Sequence, residues 1–430
     1  MNGQKPSRKT VWSWALYDFA NSSFTTLVVT FIYATYFTFE IAENETDGTS
    51  QWSVAIAITA FVVAVLSPYL GALADRGGLR KKFLVVSTII CVAGSVLLFF
   101  PQKGQVGFAL AVFVITNIAF EMGNVFYNAY LPDIAPVKQI GRISGYGWGL
   151  GYIGGLLCLV AALFGFVQTD TPILGFGTDN GEHIRATNLL VAAWFALFSL
   201  PIFFWVKDKK HPRIPNARTL IRQANQQLSS TFLEIFQRYR QVLRFLVARL
   251  VYNDGLITVF AFGGIYASTT FGFSTEKVIV FGILLNVSAG LGAFAFGYID
   301  DKLGGRTTIM LSLVGLIGFG LIAVLTRAEM LFWVAGLGAG LLAGPNQSAS
   351  RSLLGRFTPE GKRNEFYGFF ALSGKFTAFL GPLLLGLVVQ ATGSQRWGMA
   401  TVILFFVAGL ILLLRVNEKD GIRNVLAFKE

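Results

Sequence analysis

Twelve apolar runs, each long enough to carry a helix through a bilayer, constrain this chain more than any single motif does. A crossing needs about 20 mainly apolar residues at about 1.5 Å of rise each. The runs cover 11–39, 52–74, 83–100, 105–130, 143–167, 187–206, 245–271, 275–299, 307–326, 330–353, 366–390 and 397–415. They do not alternate over about ten residues, as the strands of an outer-membrane barrel would, so each predicts a helix. The first run holds Asp18 and Asn21 and lacks a small-residue cleavage pattern at its end, which argues against a removable signal peptide. Of 430 residues, 54% are hydrophobic and 13% charged, about half the charged share of a soluble domain. An ordinary cytosolic enzyme and a disordered chain are thereby excluded. Cys91 and Cys158 lie in apolar runs, and His183 and His211 lie in distant polar linkers. A disulfide framework, a metal ligand set, a His-based triad and a cofactor are therefore not expected.

The formal net charge of +12 could suggest nucleic acid, but the placement of the bases says otherwise. With the N-terminus inside, inside segments hold 27 Lys and Arg and outside segments five. The first outside loop carries Glu40, Glu43, Glu45 and Asp47 with no base. Cytoplasmic loops collect Lys and Arg, so both termini are expected in the cytoplasm and no nucleic-acid partner is needed.

Two inside loops repeat each other. Gly71-x3-Asp75-Arg76-x-Gly78-x-Arg80 follows helix 2, and Gly297-x3-Asp301-Lys302-x-Gly304-x-Arg306 follows helix 8, at an offset of 226. Helix 8 is helix 2 plus six, so the chain predicts two parallel six-helix halves, 1–206 and 245–430, joined by a cytoplasmic linker, 207–244. In the linker, His211-Pro212-Arg213-Ile214-Pro215 reads as a break. After it, Leu228, Phe232, Ile235, Phe236, Tyr239, Val242 and Leu243 fall at helical spacing. That pattern predicts an amphipathic helix under the membrane with its bases toward lipid phosphates. Docking of a partner in a groove is the rival reading.

The repeated loop resembles the signature of the major facilitator superfamily. Leu79 and Gly305 stand where that loop usually has its first base, so a weaker contact is expected there. Trp14-Ala-Leu-Tyr-Asp18-Phe-Ala-Asn21, Asn128-Ala-Tyr-Leu-Pro132, Gly151-Tyr-Ile-Gly154-Gly155, Tyr252-Asn-Asp-Gly255 and Ser350-Arg-Ser352 resemble the vacuole effluxer family within it. The likeness runs from Trp12 to Gly421, and the short N-terminus and modest central loop fit a bacterial member. The resemblance implies an all-α membrane protein with helices 1, 4, 7 and 10 around a central cavity bordered by helix 11. It also implies transport of amino-acid-like solutes, in a bacterial inner membrane or, in a eukaryote, the vacuolar one.

Two nucleotide-like strings are decoys. Gly149-Leu-Gly151-Tyr-Ile-Gly154 lies inside a membrane helix, without the strand a dinucleotide site needs. Ser373-Gly374-Lys375 lacks the earlier glycine of a phosphate loop, because that position is Phe369. The glycines are better read as packing faces: Gly147-x3-Gly151-x3-Gly155 in helix 5 and Gly336-x3-Gly340-x3-Gly344 in helix 10.

Ionisable residues inside spans cost several kcal/mol when unpaired at the bilayer centre, so each is a candidate for function. Counting along the helices puts Glu121, Asp254 and Lys375 near the midplane, with Asp18, Arg249 and Arg351 nearer the inside face. Arg249 is expected to snorkel to the headgroups, and Arg351 to join an inside salt bridge. Asn117, Glu121, Asn124 and Asn128 give helix 4 one polar face, which suits a wet cavity and not lipid. Asp18 with Asn21 does the same for helix 1, and Asn346 with Gln347 for helix 10.

The expected protein is a monomeric secondary transporter working by alternating access on a small polar or zwitterionic solute, with proton coupling and without a nucleotide-binding unit. The substrate and coupling set is Asp18, Asn21, Asn117, Glu121, Asn124, Asp254, Asn346, Gln347 and Lys375. The cytoplasmic gate set is Asp75, Arg76, Arg80, Asp301, Lys302, Arg306 and Arg351. A non-transporting receptor with the same fold is the alternative. An enzyme is not expected, because no catalytic cluster lies at one interface.

Overall fold

A computed structural model describes residues 7–169, 171–208 and 216–427. The His211–Pro215 break lies outside the described residues. Among the described residues, twelve spans run through the bundle. Spans 1 to 6 are Arg8–Ile41, Glu45–Gly77, Arg80–Leu97, Val106–Ile134, Val137–Val167 and Asp179–Trp205. Spans 7 to 12 are Arg240–Phe271, Thr275–Leu303, Gly305–Leu325, Glu329–Phe357, Arg363–Thr392 and Gln395–Leu414. Ten are long and apolar enough to cross a membrane on length and composition alone. The other two are span 3, which opens on Arg80, Lys81 and Lys82, and span 10, whose apolar content is diluted by glycines, Pro345 and Asn346.

Helices meet through bare backbone both within and between the halves. On one face of span 5, a Cβ at Gly154 would overlap the Phe19 carbonyl of span 1; on another, a Cβ at Gly145 would overlap the Ala293 carbonyl of span 8. The span 10 glycines do the same against span 8, where a Cβ at Gly340 would lie 2.6 Å from the Leu285 carbonyl. Lipid offers no hydrophobic drive for helix association, so this close van der Waals packing is what holds the helices together.

The repeat is also visible where the sequence did not advertise it. After span 6, Asp208 accepts from the Lys81 N–H at 3.0 Å and so caps span 3. After span 12, Glu418 accepts from the Gly305 and Arg306 N–H groups at 3.2 and 2.9 Å and caps span 9. Each carboxylate meets the positive end of a helix dipole.

Two expected elements differ. The amphipathic pattern does not form one helix to Leu243. The linker helix runs Ala217–Gln237, breaks at Arg238–Tyr239, and Val242 and Leu243 belong to span 7. Span 11 is interrupted: helix runs Arg363–Lys375 and Leu380–Thr392, with turns between. Pro382 has no N–H to give, and its ring crowds the carbonyl four residues back, at Ala378 inside the gap.

Contacts between the halves gather at the end that bears the basic loops, which is the cytoplasmic end by the charge distribution. Span 2 packs on Arg363–Lys375 of span 11, and span 5 packs on spans 8 and 10. The outer stretches Phe24–Ile41 of span 1 and Leu380–Thr392 of span 11 pack against helices of their own half. The cytoplasmic end is closed, which is the outward-facing arrangement.

Candidate transport pathway

The closed end is built in layers. Outermost are the repeated loops. Asp75 sits 8% exposed at the end of span 2. It accepts from the Asn364 N–H at 3.1 Å, the Asn364 side-chain amide at 2.7 Å and the Glu365 N–H at 2.9 Å, so it caps span 11. Asp301 accepts from the Gly141 and Arg142 N–H groups at 2.9 and 3.3 Å and pairs with the Arg142 guanidinium at 3.2 Å, so it caps span 5. Each loop of one half thus caps a helix of the other, and span 11 is span 5 plus six. Arg80 bridges Asp133 and Asp208 at 2.7 and 2.9 Å, and Asp133 also pairs with Arg363 across the halves. Arg306 donates to the Leu413 and Leu414 carbonyls. Arg76 and Lys302 are exposed.

These caps carry a testable consequence. Asp75→Asn and Asp301→Asn each remove the charge that meets a helix N-terminus, a term of about 0.3–2 kcal/mol. Each is expected to raise labelling of a Ser67→Cys reporter from the cytoplasmic side severalfold, since Ser67 of span 2 donates to the Gly368 carbonyl of span 11 across the closed end. Unchanged labelling in both variants would make the repeated loops a folding feature only.

The second layer is a buried lock around Arg351 of span 10. Its guanidinium donates to Asp18 at 2.8 Å, Asn128 at 3.0 Å, the Ser144 hydroxyl at 2.9 Å and the Ser144 carbonyl at 2.7 Å. It also lies 4.7, 5.7 and 5.6 Å from the rings of Trp14, Tyr127 and Trp148. Every one of these partners belongs to the N-terminal half, so Arg351 plugs the C-terminal half into an aromatic and polar socket. Gly147 leaves the room: a Cβ there would lie 2.6 Å from Asp18 and 2.7 Å from Arg351. Tyr252 joins from span 7 through its hydroxyl and that of Ser350, 2.8 Å apart. Residues of four sequence motifs, at Trp14–Asp18, Asn128, Tyr252 and Ser350–Ser352, therefore gather around Arg351, Tyr252 through Ser350 beside it.

Above the lock, near mid-membrane, Lys375 donates to Glu121 at 2.7 Å, joining spans 11 and 4 across the halves. Their side chains keep 32% and 18% exposure, and since charged groups this exposed at mid-membrane are untenable against lipid, the pair faces a wet cavity. Asn21 donates to Asn124 at 2.9 Å beside it. Asn117 is buried and Gln347 half-buried. Asn346 is fully buried and donates to Ser312 of span 9 at 2.9 Å.

The break in span 11 draws three residues of span 7. Asn253 donates to the Gly374 carbonyl at 3.1 Å, and Asp254, 1% exposed, accepts from the Thr377 hydroxyl at 3.2 Å. Among the described residues no base pairs with Asp254. Arg249 corrects the expectation of snorkelling. It is 7% exposed, donates to the Phe370 carbonyl at 2.7 Å and the Ser373 hydroxyl at 2.9 Å, and stacks 3.5 Å from the Phe370 ring centre. The Phe370 carbonyl, the Ser373 hydroxyl and the Phe370 ring, all on span 11, hold it inside the protein.

Comparison with known proteins agrees with this fold. A profile of the family described as vacuole effluxer Atg22 like matches residues 37–426. An uncharacterized transporter of the major facilitator type, YxiO of Bacillus subtilis, is 28% identical over 416 residues, covering 95% of each chain. Autophagy-related protein 22 of Coccidioides immitis is 23% identical, covering 86% of this chain and 72% of that one. Among solved structures, the proton:xylose symporter XylE superposes with a TM-score of 0.76 at 14% identity, covering 98% of both chains.

Proposed function

The chain belongs to the vacuole effluxer Atg22-like family and carries the major facilitator fold, and from that premise we propose that it exports a small zwitterionic, amino-acid-like solute. It is an integral membrane protein of the secondary transporter type. The observation that carries the substrate reading is the Lys375–Glu121 pair: opposite charges from opposite halves, at mid-membrane, within reach of water. A zwitterion matches it group for group. Its carboxylate replaces Glu121 on Lys375 and its ammonium replaces Lys375 on Glu121, so neither buried charge is left bare when the pair opens. Asn21 and Asn124 supply polar contacts beside it, and Asp254 at the break in span 11 is a second acid for an ammonium or a proton. Broken helices near the midplane are where secondary transporters place their sites. The two halves, 1–206 and 245–430, then rock about this point, with the Arg351 lock and the loop caps holding the outward-facing state. A bacterial inner membrane with the basic loops inside fits the charge distribution, and a proton gradient is the proposed drive.

Counterflow in proteoliposomes, with a panel of amino acids, dipeptides and sugars and with or without a pH gradient, tests the reading. Exchange of amino acids or dipeptides that is lost for neutral sugars is expected. Binding of a panel member without any counterflow would favour a receptor, and counterflow restricted to uncharged solutes would overturn the zwitterion.

A further inference from the structure

The linker helix Ala217–Gln237 has two working faces, and only one is occupied by protein. Its inner face buries Ala224, Gln227, Thr231 and Ile235. Gln227 and Thr231 donate to one carboxylate oxygen of Glu365 at 2.8 and 3.1 Å, and Glu234 pairs with Lys362 at 2.7 Å. Leu220 lies 3.2 Å from where a Cβ of Gly77 would sit, at the end of span 2. The helix therefore touches span 2 of one half and the start of span 11 of the other. That is the seam where Asp75 caps span 11, and it must part when the cytoplasmic end opens.

Its neighbouring flank is bare. Ile221 is 45% exposed, Phe232 54% and Phe236 49%, and the two phenylalanine rings stand 5.1 Å apart. The spacing puts Ile221, Phe232 and Phe236 on one side of the helix, with half-buried Leu228 between them. Exposed Arg218 and Arg222 flank this strip, and exposed Arg240 and Arg244 follow at the start of span 7. The one acid of the helix, Glu234, is already paired with Lys362. Two residues separate the helix from span 7, so it lies at the membrane surface. An apolar strip edged by arginines at that depth matches acyl chains below anionic headgroups.

We propose that this flank binds anionic phospholipid of the cytoplasmic leaflet, and that lipid binding holds the helix in place as a latch on the closed cytoplasmic gate. Docking and lipid contact use different faces, so both occur together. Opening the gate separates span 2 from span 11 and strips the helix from one of them, and a helix held by lipid opposes that movement. This goes beyond the substrate reading and does not depend on it.

The test uses the full chain with Cys91→Ser, Cys158→Ser and Ser67→Cys, reconstituted in phosphatidylcholine vesicles with or without phosphatidylglycerol. Labelling of the single thiol introduced by Ser67→Cys, from the cytoplasmic side, is the readout. Phosphatidylglycerol is expected to slow labelling roughly fivefold, and 1 M salt to erase most of that effect. Arg218→Gln/Arg222→Gln and Phe232→Ser/Phe236→Ser, which alter only exposed positions, are expected to remove the lipid dependence. Gln227→Ala/Thr231→Ala, which leaves the lipid face intact, is expected to remove it too. Inorganic phosphate added to phosphatidylcholine vesicles is expected to have no effect. Labelling indifferent to phosphatidylglycerol, or a dependence that survives in all three variants, would overturn the proposal. Dependence that appears only when a cell extract is added would assign the flank to a protein instead.

Discussion

Asp18→Asn is expected to abolish net transport and to shift the protein toward the inward-open state. Arg351 is 3% exposed at its side chain and Asp18 13%, and no other carboxylate pairs with Arg351 among the described residues. Removing one partner of such a pair leaves an uncompensated buried charge, at a cost of roughly 3–5 kcal/mol. The cost falls on the outward-facing state, because only there does the C-terminal half insert Arg351 into the N-terminal socket. A penalty of that size moves the balance between states by more than about a hundredfold. Labelling of Ser67→Cys from the cytoplasm is expected to approach that of an open gate, while the variant still inserts and runs as a monodisperse protein. Arg351→Met is expected to behave more mildly. Methionine fills part of the space among Trp14, Tyr127 and Trp148, and Asp18, nearer to water, is less costly to leave alone. Equal labelling in Asp18→Asn and the unmodified chain would strip the lock of its gating role.

Much of this architecture was legible because membrane insertion writes itself into composition. Apolar length gave the spans and the placement of bases gave their direction, since both follow from local transfer costs. The Asp75 and Asp301 loops also stand out in the sequence as one pattern used twice. What the loops hold was not legible. A carboxylate beside a base suggests a salt bridge, but the chief partners of Asp75 are N–H groups of span 11, which every residue except proline carries and no letter of the sequence marks. Arg249 shows the same limit from the other side. Its depth suggested snorkelling, and only the fold brings the Phe370 ring and carbonyl against it, 121 residues away. The break in span 11 did leave a signal in Gly381-Pro382. Pro68, Pro201 and Pro345 sit inside helices that continue, so proline alone does not decide the matter. The convergence of separate motifs on Arg351 required the fold, because contacts such as Arg351–Asp18, 333 residues apart, have no local trace.

The double variant Glu121→Gln/Lys375→Met is expected to fold, insert and show no counterflow. If the two residues only neutralised one another, either single variant would leave a bare charge and the double would recover. Water reaches this pair, so the single variants should cost about 1–3 kcal/mol, below the range for a fully buried one. A neutral pair of similar volume relieves that cost, and stability is expected to return in the double variant. Transport is not expected to return with it. The 2.7 Å contact joins spans 4 and 11 of different halves, which in the proposed cycle move relative to each other. A bridge that must break each time cannot be mere scaffolding unless something replaces both partners at the moment of breaking. A zwitterion does that, and two neutral side chains give it nothing to exchange with. Thermal unfolding in detergent and counterflow in proteoliposomes separate the cases. Stability restored with transport still absent supports a site that reads charge. Wild-type counterflow by the double variant would reduce the pair to charge balance and move substrate and proton binding to Asp254 at the break in span 11, or to Asp18.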